Sequence, residues 1–276
     1  IEIVHLNTNV KHWLVLIIPF YLSLQMGILS VLGALFMGLL LGLLGAGGGI
    51  LTVPILVYWV GVDGYTASAY SLFVVFVTAF VGAVSHIIRK TILIQALFKF
   101  GIPSLVSVFI SRAFILPLIP NTIFSFGDWE FTKNHLILFL LSLVMIWSSV
   151  SMIRSQPATS DGKQVSSLRI IMAGLVVGLI TGVLGAGGGF VLIPTMVKLL
   201  NISIKQAIGT SLSIICINTG IGFFIYSRTA HDIDWHLLSW FTALAILGIL
   251  LGGYLAKWVP DQKLKPIFGW FVLTVG

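Results

Sequence analysis

The sequence GAGGG occurs twice in this chain, at residues 45–49 and again at residues 185–189, an offset of 140 positions (185 − 45). Each copy lies inside a long apolar run, and a proline follows five positions after its last glycine. The windows 38–57 and 178–197 around the two copies are identical at 11 of 20 positions. Because clustered glycines destabilise a helix and let the backbone turn sharply, the sequence predicts two related repeats that each contain a broken helix.

The composition excludes a soluble protein. Hydrophobic residues make up 58% of the chain and charged residues 8%, whereas about 25% of a soluble domain is charged. We therefore predict an all-α, polytopic helical membrane protein with about eight to ten membrane segments, in contact with the lipid bilayer. The net charge of +7 comes from basic residues in short loops, a pattern typical of cytoplasmic loops, so nucleic-acid binding is not expected.

Apolar runs predict membrane segments at roughly 13–44, 50–60, 66–88, 92–119, 134–153, 169–184, 190–200, 204–227, 235–258 and 264–276. A helix needs about 20 apolar residues to cross a bilayer. The segments 50–60 and 190–200 are too short for this and follow the glycine clusters. Each is therefore predicted to be a half-helix that returns from near the middle of the membrane.

Loop charges orient the predicted segments. The basic loop 89–99 is predicted to lie in the cytoplasm, and the acidic residues of the loops 120–133 and 228–236 place those loops outside. At the 140-residue offset, 89–99 corresponds to 229–239, on the opposite side, so the two repeats are predicted to be inverted. The predicted organisation is an N-terminal apolar extension (1–25), a first repeat (26–153), a cytoplasmic linker (154–168) and a second repeat (169–276).

The glycine clusters are candidates for a substrate site. A helix that begins after a cluster has backbone N–H groups without intrahelical partners, and these donors together with the helix dipole favour an anion. The candidate residues are Gly47, Gly48, Gly49, Gly187, Gly188 and Gly189, with kinks predicted at Pro54 and Pro194. The alternative is that the glycines only allow close packing between helices.

Polar side chains on the helices after the two half-helices are further candidates. Hydroxyl and amide groups that share one helix face can donate hydrogen bonds to an oxyanion. Five such residues are predicted to complete the substrate shell: Ser71, Thr78, Thr210, Ser211 and Asn218. The alternative is ordinary hydrogen bonding between helices, which is common in membrane proteins.

The positions of the charged residues distinguish between cationic and anionic substrates. All eight acidic residues lie in predicted loops or at segment ends, so no carboxylate is expected to bind a cation or relay a proton within the membrane. Arg112 is the one basic residue well inside an apolar run, where it either has a functional charge or extends its side chain to the interface. Cys216 is the only cysteine, which excludes an intramolecular disulfide. We expect no metal and no cofactor.

The paired G-x-G-G-G-x-x-x-x-P segments resemble those of the TauE/SafE sulfite exporter family. Ser71-Leu72, Thr210-Ser211-Leu212 and Phe268-Gly269-Trp270 extend the resemblance, which covers the chain from about Met26 onward. The resemblance implies a multi-helix permease for small anions, mostly sulfur oxyanions, sulfonates or related organic acids.

We therefore predict an inner-membrane secondary transporter for a small anion, with sulfite or an organosulfonate as the leading substrate, and not an enzyme. An anion channel on the same scaffold is the alternative. A membrane-embedded enzyme is disfavoured, because the sequence has no H-E-x-x-H motif and no aspartate pair, and adjacent Ser85 and His86 point in different directions on a helix. The oligomeric state does not follow from the sequence.

Overall fold

The structure is a computed structural model that describes residues 27–43, 48–126, 129–153, 166–185, 187–200, 202–229, 232–255, 258, 270 and 273–274. The predicted extension 1–25 and residues 154–165 of the predicted linker lie outside the described residues, as does most of the predicted segment 264–276. The described helices are α1 (Gly27–Leu43), α2 (Gly48–Pro54), α3 (Gly64–Ile88), α4 (Ile94–Leu118), α5 (Lys133–Ile153), α6 (Ser167–Leu184), α7 (Gly189–Leu200), α8 (Ile204–Thr229) and α9 (Trp235–Leu255).

Within the described part of the chain, six helices are long and apolar enough to cross a membrane: α3, α4, α5, α6, α8 and α9. The shorter helix α2 continues into a π-helical segment, Ile55–Val60, and ends at Gly61 in a left-handed conformation. These findings confirm the predicted all-α, polytopic membrane fold.

Helix boundaries follow the sequence repeat. Adding 140 to the first residues of α1 and α3 gives 167 and 204, which are the first residues of α6 and α8. The start of α3 is fixed locally by Asp63, whose carboxylate accepts hydrogen bonds from the backbone N–H groups of Tyr65 and Thr66, each at 3.1 Å. The inverted orientation of the two repeats stays a prediction.

Glycines allow the first helix of each repeat to pack closely against a helix of the other repeat. On α1, a Cβ atom at Gly38 would overlap the carbonyl oxygen of Ala245 on α9. On α6, a Cβ atom at Gly178 would overlap the carbonyl oxygen of Ser104 on α4. Since 38 + 140 is 178, the same position of each repeat makes the close approach. The first helix of each repeat therefore packs against the fourth helix of the other through backbone that only glycine leaves accessible.

Two π-helical segments distort α4, and each lies just before a proline. Leu97–Gly101 precedes Pro103, and Ser111–Ile115 precedes Pro117. A proline ring clashes with the carbonyl group four residues earlier and removes an N–H donor, so the preceding turn widens. The second widened turn contains Arg112 and so affects where its side chain is directed.

A β-hairpin lies between α4 and α5, where the sequence analysis expected an outer loop without regular structure. Strands β1 (Thr122–Phe126) and β2 (Trp129–Thr132) pair antiparallel, and the rings of Phe124 and Phe131 stack with centroids 4.9 Å apart. The signal was present in the sequence, because two runs of aromatic and β-branched residues flank a Gly-Asp pair, a pattern typical of tight hairpins.

The inverted arrangement predicts the side of the membrane on which each exposed loop lies. With Cys216 replaced by serine, new cysteines at Glu130 and Asp232 are expected to react with a membrane-impermeant thiol reagent added to intact cells. Cysteines at Lys90 and Ser203 are expected to react only after the cells are opened. All four positions are exposed in the structure, so access differs only by side. Labelling of Lys90→Cys in intact cells would contradict the predicted inversion.

Candidate functional site

The second glycine cluster forms a left-handed turn between α6 and α7. Gly185 ends α6 with φ +69°, and Gly187 and Gly188 follow with φ +67° and +70°. The carbonyl oxygen of Gly188 then accepts the N–H groups of Val191 and Leu192, each at 3.0 Å, which starts α7. Three glycines are required here because residues with a Cβ atom rarely adopt this region of φ.

The turn packs against the two long helices α3 and α8, which also pack extensively against each other. A Cβ atom at Gly187 would lie 2.7 Å from Val75 on α3 and 3.4 Å from Ile215 on α8. Val75 and Ile215 are themselves equivalent in the repeat, since 75 + 140 is 215. The break in the helix is therefore next to the point where equivalent positions of the two repeats meet.

Hydroxyl groups of α3 satisfy carbonyl groups that the end of α6 leaves without intrahelical partners. Ser71 donates to the carbonyl oxygen of Gly185 at 2.9 Å, and Ser68 donates to that of Val183 at 3.5 Å. Both serines are fully buried. In a membrane interior each unsatisfied backbone group is costly, so these two bonds stabilise the broken helix.

Arg112 is buried beside this end of α6. Its side chain is 4% exposed, and Nη2 donates a hydrogen bond of 2.6 Å to the hydroxyl oxygen of Ser68. Nε and Nη1 are buried and have no hydrogen-bond partner among the described residues. The alternative in which Arg112 extends its side chain to the interface is therefore wrong: the widened turn and the contact with Ser68 keep the guanidinium inside.

The first glycine cluster is described only in part. Gly47 lies outside the described residues, Gly48 is the first residue of α2, and Gly49 is buried. Pro54 ends the α-helical part of α2, and the π-helical segment follows directly. Pro194 lies inside α7, which is α-helical from Gly189 to Leu200.

Of the five predicted polar residues, Ser71 contacts the second glycine cluster, and the other four form hydrogen bonds elsewhere. Asn218 donates from Nδ2 to the hydroxyl oxygen of Ser104 at 2.7 Å. The hydroxyl oxygen of Thr210 accepts a hydrogen bond from the backbone N–H of Leu93 at 3.0 Å. Three hydroxyls donate to carbonyls of their own helices: Thr78 to Val74 at 2.7 Å, Thr210 to Gln206 at 2.7 Å and Ser211 to Ile208 at 2.9 Å.

Ser68 is a site residue that the sequence analysis missed. It lies three positions before Ser71 on α3, so both hydroxyls share the helix face that packs against the end of α6. That spacing was the available signal. Among the described residues, no group of three or more His, Cys, Asp or Glu side chains is placed to hold a metal ion.

Comparison with known proteins identifies the family. A family model described as Sulfite exporter TauE/SafE matches residues 29–276. The chain belongs to this family. The resemblance seen in the glycine motifs is thereby confirmed, and the chain is a multi-pass protein of a membrane transporter family.

The similar proteins carry general names. A probable membrane transporter protein of Xylella fastidiosa (strain 9a5c) is 26% identical over 263 residues, which cover 92% of this chain and 95% of the relative. One from Bacillus subtilis (strain 168) is 27% identical, with 91% and 98% covered, and one from Methanocaldococcus jannaschii is 29% identical, with 79% and 78% covered. No solved structure matches the chain. None of these three relatives' names specifies a substrate.

Gly185→Ala is expected to lower the free energy of unfolding by about 2 kcal/mol or more, because the residue needs a left-handed φ and its Cβ atom would overlap the carbonyl oxygen of Ser68. Thermal unfolding in detergent measures this. Gly61→Ala is the matched control for φ, because Gly61 has φ +83° but open space around its Cβ position, and Gly253→Ala has neither constraint. Equal effects at Gly185 and Gly61 would show that contact with Ser68 is not the constraint.

Proposed function

We propose that this protein is a secondary transporter of the cell inner membrane that moves a small anion, with sulfite, an organosulfonate or a related sulfur-containing or organic anion as substrate. The observation that carries the proposal is the glycine break between α6 and α7, which packs against both α3 and α8, since a Cβ atom at Gly187 would meet Val75 and Ile215. Broken helices at the interface of two repeats are where secondary transporters bind their substrates.

The start of α7 supports binding of an anion. Since Val191 and Leu192 donate to the carbonyl oxygen of Gly188, the N–H groups of Gly189 and Phe190 are the donors that helix geometry leaves for a ligand. The dipole of α7 adds partial positive charge at the same end. By the repeat offset, Gly48 and Gly49 are proposed to bring the start of α2 to the same anion from the other repeat.

The charge distribution supports an anion over a cation. None of the nine described helices contains an aspartate or a glutamate, whereas α4 contains the buried Arg112. Membrane transporters of cations and protons use carboxylates within their helices. The family's own description, a sulfite exporter, agrees with this distribution.

Export of an anion also requires little additional energy. With an inside-negative potential, the exit of each negative charge lowers the free energy by about 2.3 kcal/mol per 100 mV. Rocking of the two repeats against each other would open the site alternately to each side, as in other transporters built from repeats.

Flux in proteoliposomes tests the proposal. We expect saturable uptake of sulfite or a sulfonate and acceleration by the same anion on the opposite side, and no flux of sodium. Gly188→Leu is expected to abolish flux, because Gly188 has φ +70° and a Cβ atom there would overlap the side chain of Thr181. Gly253→Leu is the control, since its Cβ position is open.

Flux that rises linearly with concentration and lacks counter-transport would identify an anion channel and contradict a transporter. No anion flux from wild-type protein, with an unshifted thermal unfolding midpoint across sulfite, sulfate, thiosulfate, sulfonates, carboxylates and chloride, would contradict an anionic substrate. A bound ligand raises that midpoint by mass action, so the two measurements are independent.

A further inference from the structure

We propose that the guanidinium group of Arg112, held by Ser68, directly binds the transported anion, and that only the first repeat supplies such a group. This inference rests on the proposed function and adds the residue that recognises the charge. It follows from the way Arg112 is buried, from the donors it has left and from the position of its counterpart in the second repeat.

The first step is the missing counter-charge. Arg112 is 4% exposed, and no carboxylate among the described residues forms an ion pair with it. The side chains near enough to interact with it electrostatically include the phenols of Tyr65 and Tyr226, and neither of these is a carboxylate. A buried charge without a partner is strongly unfavourable, so the site is arranged for a negative ligand.

The second step is the geometry of the free donors. A guanidinium has two edges that each present two parallel N–H groups, one formed by Nε and Nη2 and the other by Nη1 and Nη2. Nη2 has one hydrogen on each edge, and one of these hydrogens is donated to Ser68. On the other edge both N–H groups are therefore available to a ligand, because Nε and Nη1 have no partners among the described residues. Two oxygens of one sulfonate, sulfite or carboxylate match such an edge, whereas chloride does not.

The third step is the connection to the glycine turn. The hydroxyl group of Ser68 accepts a hydrogen bond from Arg112 and donates one to the carbonyl oxygen of Val183, two residues before the break at Gly185. Ser68 therefore fixes the guanidinium beside the end of α6. An anion on the free edge of Arg112 would lie close to the cluster that is proposed to supply backbone N–H groups.

The fourth step is asymmetry. The residue at the repeat offset from Arg112 is Gly252 (112 + 140), where a Cβ atom would overlap the carbonyl oxygen of Leu39. The second repeat therefore uses this position for helix packing. Arg112 lies about 9 Å from the end of α4 at Leu118, and Ser68 about 6 Å from the start of α3, so the guanidinium is in the half of the bundle predicted to face outward.

The edge-to-face pair of Tyr65 and Tyr226, with ring centroids 5.8 Å apart, lies near the same ends of α3 and α8. Lys133 lies over the ring of Tyr65 at 4.9 Å. Tyr65 is closer than Ser68 to the start of α3, so this group of side chains lies toward the predicted outer end of the helices.

The competing explanation is that Arg112 only stabilises the end of α6, where a cation interacts favourably with the helix dipole. The two explanations predict opposite effects on the protein without ligand. If Arg112 binds the anion, Arg112→Gln removes an unpaired buried charge, and the unfolding midpoint without ligand is unchanged or higher. If Arg112 is structural, that midpoint falls.

The experiment measures binding of sulfite, methanesulfonate, acetate and chloride to the full chain in detergent, by calorimetry and by thermal unfolding, in anion-poor buffer. We expect Arg112→Gln to weaken oxyanion binding by about 30-fold or more, as loss of a buried charge partner does. Arg112→Lys keeps the charge but loses the fork, and about tenfold weaker binding is expected. Ser68→Ala is expected to weaken binding less than Arg112→Gln.

Arg169→Gln is the matched control, because Arg169 is exposed near the start of α6 and wild-type affinity is expected. Wild-type affinity in Arg112→Gln and Arg112→Lys, or a lower midpoint without ligand and unchanged affinity, would overturn the inference and leave the proposed function intact. Absence of both oxyanion binding and flux in the wild-type protein would overturn both. If Arg112→Gln does not fold, Arg112→Lys and Ser68→Ala decide the question.

Discussion

The fold around the candidate site depends on which groups form hydrogen bonds with the backbone at the end of a broken helix, where water is absent. α6 stops at Gly185, inside the protein, and its last carbonyl groups need donors that water cannot provide there. Ser68 and Ser71 of α3 supply two of them. The same contacts bring α3 of the first repeat against the glycine turn of the second, so the hydrogen bonding that stabilises the break also assembles the candidate site.

Glycine has three different physical functions in this fold. At Gly185, Gly187 and Gly188 it permits left-handed backbone. At Gly38 and Gly178 the backbone is helical, and the missing Cβ atom lets a helix of the other repeat approach closely. Gly61 only ends a helix and has open space around it. A count of glycines would not separate these functions, and only the first is linked to the proposed transport.

The two repeats share a plan, and the proposed chemistry depends on where they differ. Val75 and Ile215, which are equivalent in the repeat, both lie next to Gly187. The equivalent glycines Gly38 and Gly178 let α1 pack against α9 and α6 pack against α4. Arg112 has no counterpart, because position 252 is used for packing. The repeated sequence thus brings equivalent positions together, and the difference between Arg112 and Gly252 places a charge in only one of the two repeats. In this proposal the anion is recognised by backbone groups from the glycine turns and by one side chain from a single repeat.

Much of the fold was predictable from particular residues. Apolar length identified the spanning helices, and the GAGGG repeat located the short helices α2 and α7, because both signals depend on local chemistry along the chain. The hairpin between α4 and α5 was predictable from its Gly-Asp pair but was missed. The site was less accessible: among the predicted hydroxyls, that of Ser71 is directed at the glycine turn, whereas Thr78, Thr210 and Ser211 donate within their own helices.

The sequence by itself determined that the chain is a helical membrane protein and that the same GAGGG segment occurs twice within apolar runs, since hydrophobicity and glycine act on the backbone locally. Only the tertiary structure decided the environment of Arg112. Its burial depends on a widened turn before Pro117 and on Ser68, which is far away in sequence. Whether a charge reaches water or remains buried is set by what packs around it, and no local pattern contains that information.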